Sequence, residues 1–278
     1  MKKLFDQVSE NCSKIVTESY STSFTLATKM LDRSIRQDIY NIYGFVRFAD
    51  EIVDSFHDFN KEELLNLFEL DLKKSINDKI SLNPILNSFQ QTVNSYNIEW
   101  ELIDTFLKSM EMDLDKNEHN EGTFDQYILG SAEVVGLMCL RVFTNNDHEQ
   151  YEYLKPSAMK LGSAFQKINF LRDLKADYEE LGRSYFPGID LSKFDVDQKK
   201  LIEENIEKDF DEALIGIKQL PKTSRQGVYL AYIYYRSLFN KIKCCSPDKI
   251  MTMRIKISNR LKFGLMLNSL VRVRLNMM

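Results

Sequence analysis

Leu161-Gly-Ser-Ala-Phe-Gln-Lys-Ile-Asn-Phe-Leu-Arg-Asp-Leu-Lys-Ala-Asp-Tyr178 is the stretch that decides the fold. Leu161, Ala164, Phe165, Ile168, Phe170, Leu171 and Leu174 spread over much of a helical circumference. A helix that is apolar over so much of its surface is buried. Through it runs a polar stripe of Gln166, Asn169, Asp173 and Asp177, at steps of three, four and four residues. Those steps hold the four side chains on one face, and buried polar groups need partners.

A matching stripe lies more than a hundred residues earlier, in Tyr40-Asn-Ile-Tyr-Gly-Phe-Val-Arg-Phe-Ala-Asp-Glu-Ile-Val-Asp-Ser-Phe56. Tyr43, Arg47, Asp50 and Asp54 are spaced by four, three and four. Alone, this segment reads as an exposed salt-bridged face, with Ile42, Phe45, Val46, Ala49 and Val53 turned inward. Two matched stripes favour a shared cavity instead. Four carboxylates facing an apolar interior repel one another and lose hydration, unless cations or raised pKa values compensate. Asn and Asp oxygens one turn apart are hard ligands suited to Mg2+, which completes its shell with water and substrate phosphate. Sites of this type form in bundle cores from facing helices. Arg47, one turn before Asp50 and Glu51, could neutralise part of the charge or contact a phosphate.

The rest of the chain agrees with a helical protein. Of 278 residues, 44% are hydrophobic, while 10 Gly and 5 Pro give little punctuation. Polar breaks at His57–Lys61, Asn77–Pro84, Asp113–Thr123, Thr144–Glu149, Gly182–Asp197, Pro221–Arg225 and Ser246–Asp248 predict eight to ten helices. Lys61-Glu62-Glu63 opens an acidic first turn, and Pro84 and Pro156 each suit a helix start. No internal repeat or low-complexity linker appears, so residues 1–278 read as one domain.

A net charge of −4 argues against a nucleic-acid partner. Lys249 to Met278 holds seven Lys or Arg and no Asp or Glu. That is a solvated basic helix, or a surface suited to an anionic membrane. Cys12, Cys139, Cys244 and Cys245 have no ligand spacing, which fits a reducing, cytoplasmic compartment. His57, His119 and His148 form no cluster. The N-terminus lacks the apolar run of a signal peptide. No stretch approaches 18 consecutive apolar residues, so no membrane span is expected.

Three further stretches bear on chemistry. Ser19-Tyr-Ser-Thr-Ser-Phe24 could cap a helix or donate to a diphosphate at a helix N-terminus. The small residues of Tyr127-Ile-Leu-Gly-Ser-Ala-Glu-Val-Val-Gly-Leu-Met138 allow close approach of a neighbouring helix or a long ligand. Ala231-Tyr-Ile-Tyr-Tyr-Arg236 is core-like, although its aromatic faces could also hold a carbocation.

Taken in order from Ser19 to Phe263, these stretches resemble the squalene/phytoene synthase family of head-to-head isoprenoid synthases. Arg47-Phe-Ala-Asp50-Glu51-Ile-Val-Asp54 looks like its first aspartate-rich motif. Gln166-Lys-Ile-Asn169-Phe-Leu-Arg172-Asp173-Leu-Lys-Ala-Asp177 looks like its second, followed by Gly182-Arg183-Ser-Tyr185-Phe186-Pro187. Ser21-Thr-Ser23-Phe24 is similar to its diphosphate-contacting serine stretch. Tyr127 with Val134-Val135-Gly136 fits its central helix, and Arg254-Ile-Lys-Ile-Ser258-Asn259 its C-terminal segment. Glu51 stands where Asp is also common and keeps the charge. Phe170 stands where an aliphatic residue is frequent, an expected change in the cavity wall.

The resemblance implies an all-α isoprenoid synthase fold, a single helical bundle around one central cavity. It implies Mg2+, or Mn2+ in its place, held by Asp50, Asp54, Asn169, Asp173 and Asp177. Substrate contacts would come from Ser21, Ser23, Phe24, Arg47, Gln166, Asn169, Arg172 and Arg183. Tyr43, Tyr127 and Tyr234 are the implied cation contacts. The implied reaction joins two geranylgeranyl diphosphates, through a cyclopropyl intermediate, to phytoene, with diphosphate released twice. Within enzymes, the alternative is dehydrosqualene, or squalene if NADPH reduction follows. No dinucleotide fingerprint is present and no NADPH is expected. From a different class, a non-catalytic scaffold has no need of ligating carboxylates, and here all four positions are filled. Apolar substrates and product would suit a cytoplasmic protein in peripheral contact with the inner membrane surface.

Overall fold

Regular structure among the described residues is helical throughout. The computed structural model describes residues 1–114, 121–179, 186–187, 194–275 and 277–278, with side chains except those of 121, 176–179 and 274. In chain order the helices are α1 (Lys2–Tyr20), α2 (Thr22–Lys29), α3 (Arg33–Ser55), α4 (Lys61–Asp78) and α5 (Pro84–Tyr96). Then come α6 (Trp100–Met112), α7 (Glu121–Ile128), α8 (Val134–Thr144) and α9 (His148–Glu179). The chain closes with α10 (Val196–Gln219), α11 (Lys222–Lys243), α12 (Pro247–Thr252) and α13 (Asn259–Arg274).

Helix starts follow local chemistry. Asn83 caps α5 by accepting from Ile85 N at 3.0 Å, with Pro84 at the first turn. Asn60 caps α4 above Glu62 and Glu63, and Asp195 forms a capping box with Gln198 at α10. Ser21 takes an extended backbone, φ −143° and ψ 105°, that separates α1 from α2 without Gly or Pro. That break, together with short α7 and α12, raises the described segments to thirteen, above the expected eight to ten.

Pro156 is a correction to the sequence reading. It lies inside α9 rather than starting a helix. Its ring removes one intrahelical hydrogen bond, but the residue is exposed, so solvent can satisfy the freed carbonyl.

Two large cores hold the helices. In the first, Phe45 of α3 stacks on Phe89 of α5 at 4.1 Å and meets Phe106 of α6 edge-on at 5.3 Å. The second gathers Ile168 and Leu171 of α9, Phe210 of α10 and Phe239 of α11, all fully buried. Each buried Phe, Leu or Ile contributes roughly 1.5–3 kcal/mol. Between the cores runs a continuous helix, α7 to α8, joined by a π-helical turn at Leu129–Glu133. Its span Gly122–Thr144 is long and apolar enough to cross a bilayer, yet 56% of its most apolar window is buried inside the protein. It packs against α3, α6 and α9, as a core helix does.

Small residues set how closely these helices approach. A Cβ on Gly130 would lie 2.7 Å from Thr105 O of α6, and one on Gly136 would lie 3.1 Å from Ala158 O of α9. The tight-packing reading of the 127–138 stretch therefore holds. A Cβ on Gly162 of α9 would sit 2.7 Å from the Ala132 carbonyl oxygen. Backbone cannot swing aside, so Gly162→Ala is expected to lose about 1–3 kcal/mol in urea unfolding. An unchanged midpoint would show that α9 can shift away from the π-helical turn.

Candidate active site

The two stripes identified from sequence line one space. α3 presents Tyr43 and Arg47, and α9 presents Gln166, Asn169 and Arg172, to a cavity of about 530 Å3. Ser21, Ser23 and Phe24 at the start of α2 line the same cavity, and Tyr234 of α11 closes another side. Away from these polar groups the walls are apolar, formed by residues such as Val135, Leu140, Phe143, Leu154, Ile217 and Leu220. The helical caps place the hydroxyls: Ser21 Oγ accepts from Phe24 N at 3.2 Å, so capping and cavity lining coexist in one residue.

The carboxylates stand beside this lining, in contact with cations that belong to it. Arg47 hydrogen-bonds both Asp50 and Glu51 and lies 4.3 Å from the centre of the Tyr20 ring. On α9, Arg172 Nε donates to Asp173 Oδ1 at 3.0 Å, and Arg254 Nε reaches the same carboxylate at 2.6 Å. Asn169 is held from two sides, donating to Gln166 Oε1 at 3.3 Å and accepting from Tyr235 Oη at 3.2 Å.

Burial pushes the Asp50 carboxyl up to about 7, aided by Asp54, Asp113 and Glu51 and opposed by Arg47. Burial works against the Arg47 charge, but Asp50 and Glu51 outweigh it and its pKa rises. Arg47 Nε is buried without an acceptor, an orphan donor pointed at no protein group. Burial drives the Tyr43 phenol to about 12, with Tyr235 and Asp50 adding to the rise. Tyr43 therefore stays neutral, stacked on Phe24 with ring centres 4.7 Å apart. Tyr43 of α3 and Tyr235 of α11 line the same cavity.

Not every candidate reaches the cavity. Tyr127 lies outside its lining, 4% exposed, with its hydroxyl 2.7 Å from Asp113 Oδ2. Phe170 is a correction: one residue beyond Asn169, it turns into the core against Phe124, Tyr127 and Phe186 rather than forming cavity wall. Tyr234 lines the cavity with its ring, while its hydroxyl is spent on Lys262 O at 2.9 Å. Asp177 sits on α9, but its side chain lies outside the described residues, as does Arg183 altogether.

Residues 17–260 match the family described as squalene/phytoene synthase. The chain belongs to the squalene/phytoene synthase family. A phytoene synthase from Arthrospira platensis is 28% identical over 263 residues, covering 84% of this chain and 83% of the relative. A 4,4'-diapophytoene synthase from Staphylococcus haemolyticus is 30% identical over 255 residues, covering 84% and 86%. The solved structure of a dehydrosqualene synthase in complex with ligand superposes with a TM-score of 0.84. It covers 97% of this chain and 98% of that one at 22% identity, which shows the isoprenoid synthase fold. Squalene/phytoene synthases act on prenyl diphosphates, and membership supports head-to-head condensation by an enzyme of prenyltransferase type.

The donor set suits the divalent cation on which this family generally depends. Asp50 carries a carboxyl that burial and neighbouring acids hold half-protonated near neutrality, so added positive charge would relieve it. All the candidate ligands are oxygen donors of the kind hard cations take. Among the described residues no three carboxylate, histidine or cysteine groups gather around one point. The ligands are instead divided between α3 and α9.

Three residues beside the site carry no role in the candidate set, although the stretches holding Tyr235 and Arg254 stand out in the sequence. Tyr235 orients Asn169 and stacks on Phe165 at 3.9 Å. Arg254 bridges the C-terminal segment to Asp173, and Asp113 adds its charge to Asp50.

Proposed function

We propose that the protein condenses two molecules of geranylgeranyl diphosphate head to head, through the cyclopropyl intermediate prephytoene diphosphate, to phytoene. The observation that carries this reading is the cavity, polar at one end and apolar along its length. Its wall on α9 runs from Arg172 and Asn169 back to Leu154, about 22 Å between the last two at 1.5 Å per residue. Such a wall suits a long prenyl tail with its diphosphate at the Arg47 end.

The division of labour follows from the side chains. Arg47, Arg254, Ser21 and Ser23 bind diphosphate oxygens, and the orphan Arg47 Nε gives a donor already in place. Asn169 is oriented by Tyr235 and Gln166. The neutral Tyr43 offers a π face to developing positive charge without an ionised oxygen that could trap it. Apolar walls exclude water that would quench an allyl cation. Mg2+ held by Asp50, Asp54, Asn169, Asp173 and Asp177 would supply charge neutralisation of the departing diphosphate.

A second reading, 4,4'-diapophytoene (dehydrosqualene) from farnesyl diphosphate, is favoured by the 30% identity to the staphylococcal synthase. Competition between the two diphosphates with Mg2+, with and without NADPH, separates them by the hydrocarbon formed. A forty-carbon product supports the proposal, and a predominantly thirty-carbon product sinks it. Diphosphate release from neither substrate would favour a non-catalytic scaffold.

Ala158 lines the apolar half of the cavity. Ala158→Phe is expected to disfavour geranylgeranyl relative to farnesyl diphosphate by about tenfold or more in kcat/KM. An unchanged ratio would place the tail against another wall.

A further inference from the structure

A second recess, of about 200 Å3, opens among the first three helices, and its lining shares no residue with the active-site cavity. It is made by Lys14 of α1, Lys29 of α2, and Arg33, Arg36, Gln37 and Tyr40 of α3. Four cations therefore face one small space. Lys29 pairs with Glu18 at 3.0 Å. Lys14, Arg33 and Arg36 make no ion pair with a carboxylate among the described residues. Asp32, which feels Arg36 and Arg33, is already occupied as the cap of α3, accepting from Ser34 N at 2.9 Å.

The inner wall holds two donors with nothing to bond. Tyr40 is 2% exposed and its hydroxyl has no partner. Burial and the Glu18 carboxylate raise its pKa against the pull of Arg36, so it remains an O–H donor. Arg36 is fixed by Nη2 donating to Lys29 O at 2.8 Å and Leu31 O at 2.9 Å, while its buried Nε has no acceptor. Buried donors are normally satisfied. Two unsatisfied donors behind a cationic rim call for an oxyanion.

We propose that this recess binds a phosphate-bearing anion, free or on a lipid headgroup, with Tyr40 Oη–H and Arg36 Nε–H as inner donors. Lys14, Lys29 and Arg33 form its rim. An occupant would join α1, α2 and α3, the elements that bring Tyr20, Ser23 and Tyr43 to the active-site cavity.

The test uses the full chain in EDTA, with inorganic phosphate titrated against chloride at matched ionic strength. In parallel, it is sedimented with phosphatidylcholine vesicles with and without phosphatidic acid. The K14S/R33S double variant removes rim charges that hold no structural ion pair, and Tyr40→Phe removes only the inner hydroxyl. The double variant is expected to weaken binding by about tenfold or more. Tyr40→Phe is expected to weaken it about threefold or more without lowering the melting temperature of the unliganded protein. Phosphate binding alone identifies a soluble ligand, and vesicle binding alone identifies a lipid headgroup, provided each is lost in these variants. Two results overturn the proposal. One is that neither probe binds the wild type. The other is that the variants bind as the wild type does, which would move phosphate to the active site or vesicles to α13.

Discussion

Asp50→Asn is expected to cut turnover of prenyl diphosphates by about a hundredfold or more, since losing several kcal/mol of charge stabilisation costs tenfold per 1.36 kcal/mol. Yet the same change is expected to stabilise the unliganded protein at alkaline pH. Asp50 rises from 3.8 to about 7 on folding. A carboxyl whose pKa is raised contributes stability that is complete below about pH 4 and is lost as pH climbs through about 7. The whole shift corresponds to roughly 4 kcal/mol. The Asp50 side chain is 34% exposed, and solvent screening reduces this to about 1–2 kcal/mol. Urea unfolding in EDTA should therefore show wild type and variant alike at pH 4 and the variant ahead at pH 8. Added Mg2+ should narrow that gap. Retention of more than a tenth of wild-type turnover, or a gap independent of pH, would remove Asp50 from the proposed site.

Arg47→Met should have the opposite sign on stability and the same sign on activity. Its guanidinium serves Asp50 and Glu51, and removing one partner of a buried pair leaves uncompensated charge. With 26% of the Arg47 side chain exposed, the expected loss is about 1–3 kcal/mol at pH 8. At pH 5 the loss should shrink, because Asp50 is already largely protonated and only Glu51 is left unpaired. Turnover should fall by about a hundredfold or more, as when one preorganised donor to developing negative charge is deleted. In the D50N/R47M double variant the gain from the first change and the loss from the second should not add, because the two groups interact directly. Strict additivity, with the same loss at both pH values, would mean that Arg47 acts independently of Asp50.

What could be read from residues alone depended on periodicity. The stripes on α3 and α9 repeat at helical spacing, so their faces were readable before any contact was known, and both line the cavity through Tyr43, Arg47, Gln166 and Asn169. Arg254 could not be placed this way. It lies in a non-helical stretch between α12 and α13, and its partner Asp173 is 81 residues away. Tyr234 and Tyr235 are adjacent in a run of aromatics, where about 100° of helical rotation decides which hydroxyl meets Asn169. Asp113 follows α6 in an acidic stretch, between Glu111 and Asp115, where no helical spacing marks it out. A proline usually opens a helix, but Pro156, exposed and well inside α9, shows that an exposed helical position tolerates one.

Lys262 of α13 donates to Thr22, between the two serines at the cavity, at 2.7 Å, across 240 residues of sequence. At roughly 5–20 residues per second of synthesis, Thr22 is made on the order of ten to fifty seconds before Lys262. Through that interval Thr22 lacks this hydrogen-bond partner. In the proposed reaction, the closure of this edge is thus acquired late in translation, when Lys262 of α13 reaches Thr22 beside the first helices to be made.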